Sequence, residues 1–257
     1  MQDAGLLEIA SNPEAYARYL DLQGENPLYS AGNIALAMVQ NPQITLFATP
    51  DRWKALGRTV LESEKGKGIQ IFSRSSFGKG YSLASAYDVS QTGGREVKRP
   101  VLREGSPAME TALATLLNYS MVKVVVDRDL TIPAFYDSQN MELAIHPDFP
   151  DMEAFAAIAT GVAQSRFHAK GANASYSRQE SELDAESVSY ILCKRFGIDR
   201  EVPDLSSLEE LYEGWSAQDV RQALSSIQEL SKQIGGTIER DITPKQHSRG
   251  HVARPVR

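Results

Sequence analysis

Cysteine is almost missing from these 257 residues: Cys193 is the only one. A disulfide framework and a thiolate metal site are thereby excluded. Cys193 lies among Ile191, Leu192 and Phe196, where a small buried hydrophobe is expected rather than a nucleophile. No apolar run reaches the roughly 18 residues that a membrane span requires. Residues 1–8 carry neither a basic nor an apolar signal region, so a reducing, cytoplasmic setting is expected. A Gly-x-Ser-x-Gly elbow is absent, which removes one common hydrolase architecture. The stretch Glu64-Lys-Gly-Lys-Gly68 lacks the Gly-Lys-Ser/Thr ending of a phosphate loop and precedes a strand pattern, which removes nucleotide hydrolysis.

What the chain does have is an uneven charge. The total is −6, yet residues 51–103 hold eleven basic side chains against five acidic ones, so this segment is about +6 and the rest about −12. A basic island in an acidic chain is the electrostatic footprint of a polyanion-binding surface. The plainer reading is a sheet edge guarded by lysine and arginine. Aromatic residues interleave with the cations: Trp53, Phe72, Phe77, Tyr81 and Tyr87 run among Lys54, Arg58, Lys65, Lys67, Arg74 and Lys79. Single-strand binders need this combination of backbone cations and flat apolar faces. Trp53 faces Leu56 on a short helix and is expected in the core, whereas Phe77, in a Gly/Ser loop, is the better stacking candidate.

Periodicity predicts an α+β fold. Residues 6–22 are helical with Pro13 dividing them, and Ser30 caps a helix ending near Asn41-Pro42. Strands are expected over 44–49, 68–72 and 81–89, and a short helix over 50–57. Residues 91–106 read as a long polar loop. A helix over 109–119 and three short strands (122–126, 133–136, 141–146) follow. Helices over 152–169, 179–196, 206–213 and 217–234 complete the chain, and a disordered basic tail is expected over 237–257. The division reads as 1–100 and 106–236.

Two of those helices frame a chemical question. Phe155, Ile158, Ala159 and Val162 on one, and Val188, Ile191, Leu192 and Phe196 on the next, repeat at helical spacing, and their closure would bring His168 toward Glu182 and Glu186. A histidine facing carboxylates is how zinc hydrolases are built.

The short motifs Tyr29-Ser-x-x-Asn33, Gln40-Asn-Pro42, Thr49-x-x-x-Trp53, Leu56-Gly-Arg58, Glu64-Lys-Gly66 and Tyr87-Asp-Val-Ser-Gln-Thr92 occur in the order found in ArdC-type antirestriction proteins of plasmids and conjugative elements. The chain resembles that family over about residues 10–235. The resemblance implies a single-stranded-DNA-binding first domain, a zincin-like metallopeptidase second domain, a bacterial cytoplasmic setting and protection of incoming DNA. The residues themselves make Lys54, Arg58, Lys65, Lys67, Arg74, Lys79, Arg95, Lys98 and Arg99 the candidates for DNA contact, and Phe77 and Tyr81 the candidates for stacking.

In the second domain the resemblance is to a pattern that has lost members. Gln164-Ser-Arg-Phe-His168 stands where His-Glu-x-x-His is expected, and Glu182-Leu-Asp-Ala185 stands at the third-ligand motif. Gln164 offers an amide where zinc takes imidazole, and Ser165 has no carboxylate to act as base. His168 and Glu182 are then vestigial, and a His168–Glu182 or His168–Glu186 hydrogen-bonded pair is expected in a cleft without cofactor. Zinc is the one metal the remnant raises; the competing reading is a zinc metallopeptidase with an atypical ligand set around His168 and Glu182, for which His146 is a distant substitute ligand. A third reading makes the cleft a protein-interaction surface.

Overall fold

The computed structural model describes residues 1–74, 80–170 and 178–243. The chain opens with three helices: α1 (Gln2–Ser11), α2 (Pro13–Glu25) and α3 (Ala31–Gln40). Pro13 occupies the first position of α2, where its missing N–H costs nothing, and Asn12 Oδ1 accepts from Glu14 N and Ala15 N. Ser30 caps α3 through the N–H of Asn33. Then come β1 (Phe47–Ala48), α4 (Pro50–Ala55), β2 (Arg58–Val60), β3 (Ile69–Arg74), β4 (Tyr81–Asp88) and β5 (Thr92–Gly94). They form an antiparallel sheet in the order β1-β4-β3 and a separate β2–β5 ribbon.

The second half contains α5 (Pro107–Leu117), β6 (Lys123–Val126), β7 (Ala134–Asp137), β8 (Glu142–Ile145), α6 (Asp151–Lys170), α7 (Arg178–Phe196), α8 (Leu208–Leu211) and α9 (Ala217–Ile242). Its sheet runs β6-β8-β7, with β6 parallel and β7 antiparallel to β8. The mixed α+β class read from periodicity therefore holds.

Three local expectations differ from what is observed. The strand expected over 44–49 contracts to β1, because Thr45 turns its N–H and hydroxyl onto Asp88 Oδ2 at 2.7 and 2.9 Å. The polar stretch 91–106 contains β5, which pairs with β2 in the register Arg58↔Gly94 to Val60↔Thr92. These three-residue strands carry no alternating apolar pattern, and Gly94, at φ +133°, sits where an added Cβ would lie 2.5 Å from Gly57 O. Finally, α9 runs six residues past the boundary expected at Gly236. Its buried stripe of Val220, Leu224, Ile227, Leu230 and Ile234 continues through Ile238, so the helix is held to its end by the core. The remainder of the tail, residues 244–257, lies outside the described residues.

Residues of both 1–100 and 106–236 contribute to one continuous apolar core, from Leu6 and Tyr19 to Phe155, Phe196 and Ile234. Each such fully buried side chain contributes about 1.5–3 kcal/mol. The helices α2 and α7 meet closely at Gly24, where a Cβ would stand 2.8 Å from Lys194 Cβ. Tyr16 OH and Ser187 Oγ lie 3.0 Å apart across that contact, and Tyr190 OH donates to Asp21 at 2.9 Å. Cys193 is buried there, and burial pushes its thiol up to about 12, as suits an inert core residue. A smaller cluster of Ala48, Trp53 and Tyr87 joins α4 to the first sheet.

Candidate nucleic-acid interface and the cleft of the second half

The hairpin of β3 and β4 sorts its residues by strand alternation. Ile69 and Ile71 are buried, while Gln70, Phe72 and Arg74 face outward. Directly opposite on β4 stand Ser85, Leu83 and Tyr81, so Phe72 pairs with Leu83 and Arg74 with Tyr81 on the solvent side. Phe72, Leu83 and Tyr81 are 42%, 61% and 71% exposed. An aromatic and aliphatic ladder ending in a guanidinium is thus held open to solvent on a strand pair.

Carboxamides seal the edges of this sheet. Asn33 and Gln40, seven residues apart and so on one face of α3, each exchange two hydrogen bonds with β3. Asn33 Nδ2 donates to Phe72 O at 2.8 Å and Phe72 N donates to Asn33 Oδ1 at 2.9 Å. Gln40 does the same with Gln70, both at 2.8 Å. Asn26 closes the other edge, accepting from Phe47 N and donating to Thr45 O. An open strand edge invites pairing with other chains, and here side chains occupy it. This accounts physically for Asn33 and Gln40 within the motifs noted above.

The cations expected to meet DNA have different surroundings. Lys54, Arg74, Arg95, Lys98 and Arg99 are exposed. Lys65 and Lys67 are exposed and lie 2.6 Å from Glu62 and 3.3 Å from Glu64. Arg58 is placed otherwise. Its guanidinium donates to Thr92 Oγ1 (2.8 Å), Thr92 O (2.8 Å), Arg95 O (2.6 Å) and Val89 O (3.3 Å), and stands over the Trp53 ring. It is a tie between β2 and β5. Trp53 is fully buried, donating from Nε1 to Tyr87 O at 2.8 Å. Phe77 and Lys79 lie outside the described residues.

Beside the hairpin runs a groove of about 480 Å³, lined among others by Tyr29, Phe47, Arg52, Trp53, Lys98 and Arg99. The Tyr29 ring stacks on Phe47 at 4.6 Å and 17°. Arg195 of α7 and Glu239 of α9 complete its wall. Leu83, Tyr29, Arg52 and Arg195 were not among the expected site residues. Leu83 had a signal, standing two residues from Tyr81 on an alternating strand. The other three reach their places through tertiary packing, for which local sequence has no sign.

In the second half, a cleft of about 530 Å³ is lined by Tyr136, Thr160, Gln164, Glu182, Glu186 and Arg200, with Phe135, Met152 and Asp199. Gln164 and Glu182 thus share the cleft as the spacing suggested. His168 Nδ1 lies 2.6 Å from Tyr136 OH. Glu186 pairs with Arg200 and accepts from Thr160 Oγ1 at 3.2 Å. Of the two expected pairings, His168–Glu182 and His168–Glu186, neither is among the hydrogen bonds of the described residues; Glu186 is taken instead by the permanently charged Arg200. Ser165 is fully buried, donating to Val162 O at 2.8 Å and accepting from Met121 N at 3.2 Å. His146 sits in the turn before α6, its Nδ1 accepting from Asp148 N and its Nε2 meeting Arg128 O.

This donor set does not fit a catalytic divalent metal. An amide stands at the first ligand position and a structural hydroxyl at the base position. Among the described residues no three His, Cys, Asp or Glu side chains converge. No described helix is long and apolar enough to cross a membrane.

The element order and the small sheets of the described residues define an α+β protein with an ArdC-like fold. The solved structure that establishes this is the antirestriction protein ArdC from plasmid R388 in its Mn(II)-bound form. It aligns with a TM-score of 0.53 at 15% identity, over 96% of this chain and 99% of that one. The metal-free crystal structure of the same protein aligns at 0.45 and 13%, over 83% and 85%. No protein-family model matches the sequence. No curated protein matches it either.

Proposed function

We propose that this chain binds single-stranded DNA in the bacterial cytoplasm and protects DNA entering with a plasmid or conjugative element from restriction, while its second half no longer hydrolyses peptides. The observation that carries the reading is the outward face of β3 and β4, where Phe72, Leu83, Tyr81 and Arg74 stand in cross-strand register and in solvent. Exposed apolar ladders are uncommon on protein surfaces without a partner, and unstacked bases present the matching flat faces. Duplex DNA keeps those faces stacked away, so preference for single strands follows. The cations at Lys65, Lys67, Arg95, Lys98 and Arg99 supply sequence-independent phosphate contacts. The ArdC-like fold supports the antirestriction role.

The loss of hydrolysis follows from chemistry at two positions. Gln164 is neutral and Ser165 is spent on backbone groups, so neither of these two positions can take a proton from water. The test has two parts. The double variant Phe72→Ser, Tyr81→Ser alters only exposed side chains and is expected to lose single-strand affinity by at least tenfold while keeping its melting temperature; unchanged affinity overturns the placement. Metal analysis of the purified protein is expected to find no stoichiometric zinc. One tightly held zinc that disappears in His168→Ala would restore the peptidase reading.

A further inference from the structure

We infer that the groove beside the hairpin accepts one nucleotide of the bound strand, its base toward the aromatic wall and its phosphate at Lys98, Arg99 and Arg195, so that the DNA site is built by both halves of the chain. The inference rests on the single-strand-binding reading and adds a base-accepting pocket to it. Its volume of about 480 Å³ lies in the usual range for small-ligand pockets. The half-buried Tyr29 ring gives the accessible part of the apolar wall, with the buried Phe47 and Trp53 rings behind it, and Arg52, Lys98 and Arg99 are the exposed cations.

The independent observation is Arg195. Its side chain is only 6% exposed, Nε donates to Glu239 Oε1 at 2.9 Å, and Nη1 has no hydrogen-bond partner. A buried cationic donor left unmade is costly, and native proteins rarely keep one without a role. The guanidinium occupies the hollow of Gly235, where an added Cβ would lie 2.5 Å from Nη1. In that position it lines the groove together with Glu239. A phosphate oxygen entering the groove is the acceptor that Nη1 lacks.

Two of the cations have a carboxylate stand-in for that phosphate: Glu239 for Arg195, and Glu25, 3.7 Å from Arg99. These acids keep the cations placed in the free protein and compete with the phosphate in the bound one. Removing them is therefore expected to strengthen binding, a sign that a purely structural ion pair would not produce.

The experiment uses the full chain carrying Trp215→Phe, which leaves Trp53 of the groove wall as the only tryptophan. A short oligothymidylate is titrated while Trp53 emission and anisotropy of a labelled strand are followed together. Trp53 emission is expected to change with the same midpoint as anisotropy, and an abasic strand of equal length to leave it unchanged. Lys98→Ala with Arg99→Ala is expected to weaken binding about tenfold, and Glu25→Gln with Glu239→Gln to tighten it about threefold at low salt. If none of these variants moves the affinity while Phe72→Ser, Tyr81→Ser abolishes it, the groove inference is overturned and the hairpin reading stands. If the unmodified chain fails to bind the strand, the proposed function itself falls, and this inference with it.

Discussion

Asn33 and Phe72 exchange two hydrogen bonds, 2.8 and 2.9 Å, so that an asparagine side chain on a helix acts as the missing neighbour of an edge strand. The arrangement holds the hairpin at a fixed angle to α3 and presents its outward face. Asn33→Leu removes both partners of a half-buried N–H and C=O and is expected to cost about 2–3 kcal/mol. Thermal or urea melts measure this. The same variant is expected to lose single-strand affinity, because the ladder of Phe72 and Tyr81 loses its support. A stability within about 0.5 kcal/mol of the parent would contradict the edge-sealing role.

An ion pair spans the cleft of the second half. Arg200 meets Glu186 and Ser189, and Glu186 also accepts from Thr160. Arg200→Met leaves Glu186 partly buried without its counter-ion and is expected to destabilise by about 1–3 kcal/mol. The double variant with Glu186→Gln is expected to recover most of that loss, since both charges then leave together. Additive losses in chemical denaturation would mean that the pair is not coupled.

Glu64 gives a signed pH dependence. Gln91 Nε2 and the Lys67 ammonium, each 3.3 Å from a Glu64 oxygen, hold its carboxyl below the ordinary glutamate value of 4.5. The folded pKa is depressed, so the contribution is complete above about 4.5 and fades as pH falls through the lower folded value. Glu64→Gln is expected to melt below the parent at pH 7, with the difference closing in acid. A gap that persists unchanged well below 4.5 would show that hydrogen bonding, not charge, is responsible.

Lys65 and Lys67 project beside Glu62 and Glu64 as exposed i, i+3 pairs, which are worth little to stability. Reversing both to glutamate is expected to leave the fold intact, to weaken single-strand binding, and to flatten its salt slope by about 1–2. Unchanged affinity and slope would remove them from the DNA path.

Much of this architecture is legible in the residues. Caps and prolines mark the helices: Asn12 with Pro13, Ser30, Ser106 with Pro107, and Ser216 all stand where helices begin. Trp53 announces its burial through Leu56, and Cys193 through its apolar neighbours. The short β2–β5 ribbon is hidden because its stability lies in Arg58 and in Gly94, not in an apolar pattern. The exposed ladder was half visible: Tyr81 and Arg74 could be named, but their facing each other is a register fact. The partners of His168 and Glu186 were not legible at all. They depend on Tyr136 and Arg200, distant in sequence and brought in by β7 and by the segment after α7. For the same reason Arg195 gave no sign of lining a groove formed mainly by the first half.

The central claim is preference for unstacked DNA, and it is tested most directly by binding of the full chain to a single strand and to a duplex of equal length at two salt concentrations. The full chain is required because α2 and α7 share one core. The account predicts single-strand affinity at least tenfold above duplex affinity, falling steeply with salt, with part of the single-strand binding retained at the higher salt through stacking. Equal affinity for the two forms, or no binding to the single strand at low salt, would contradict it.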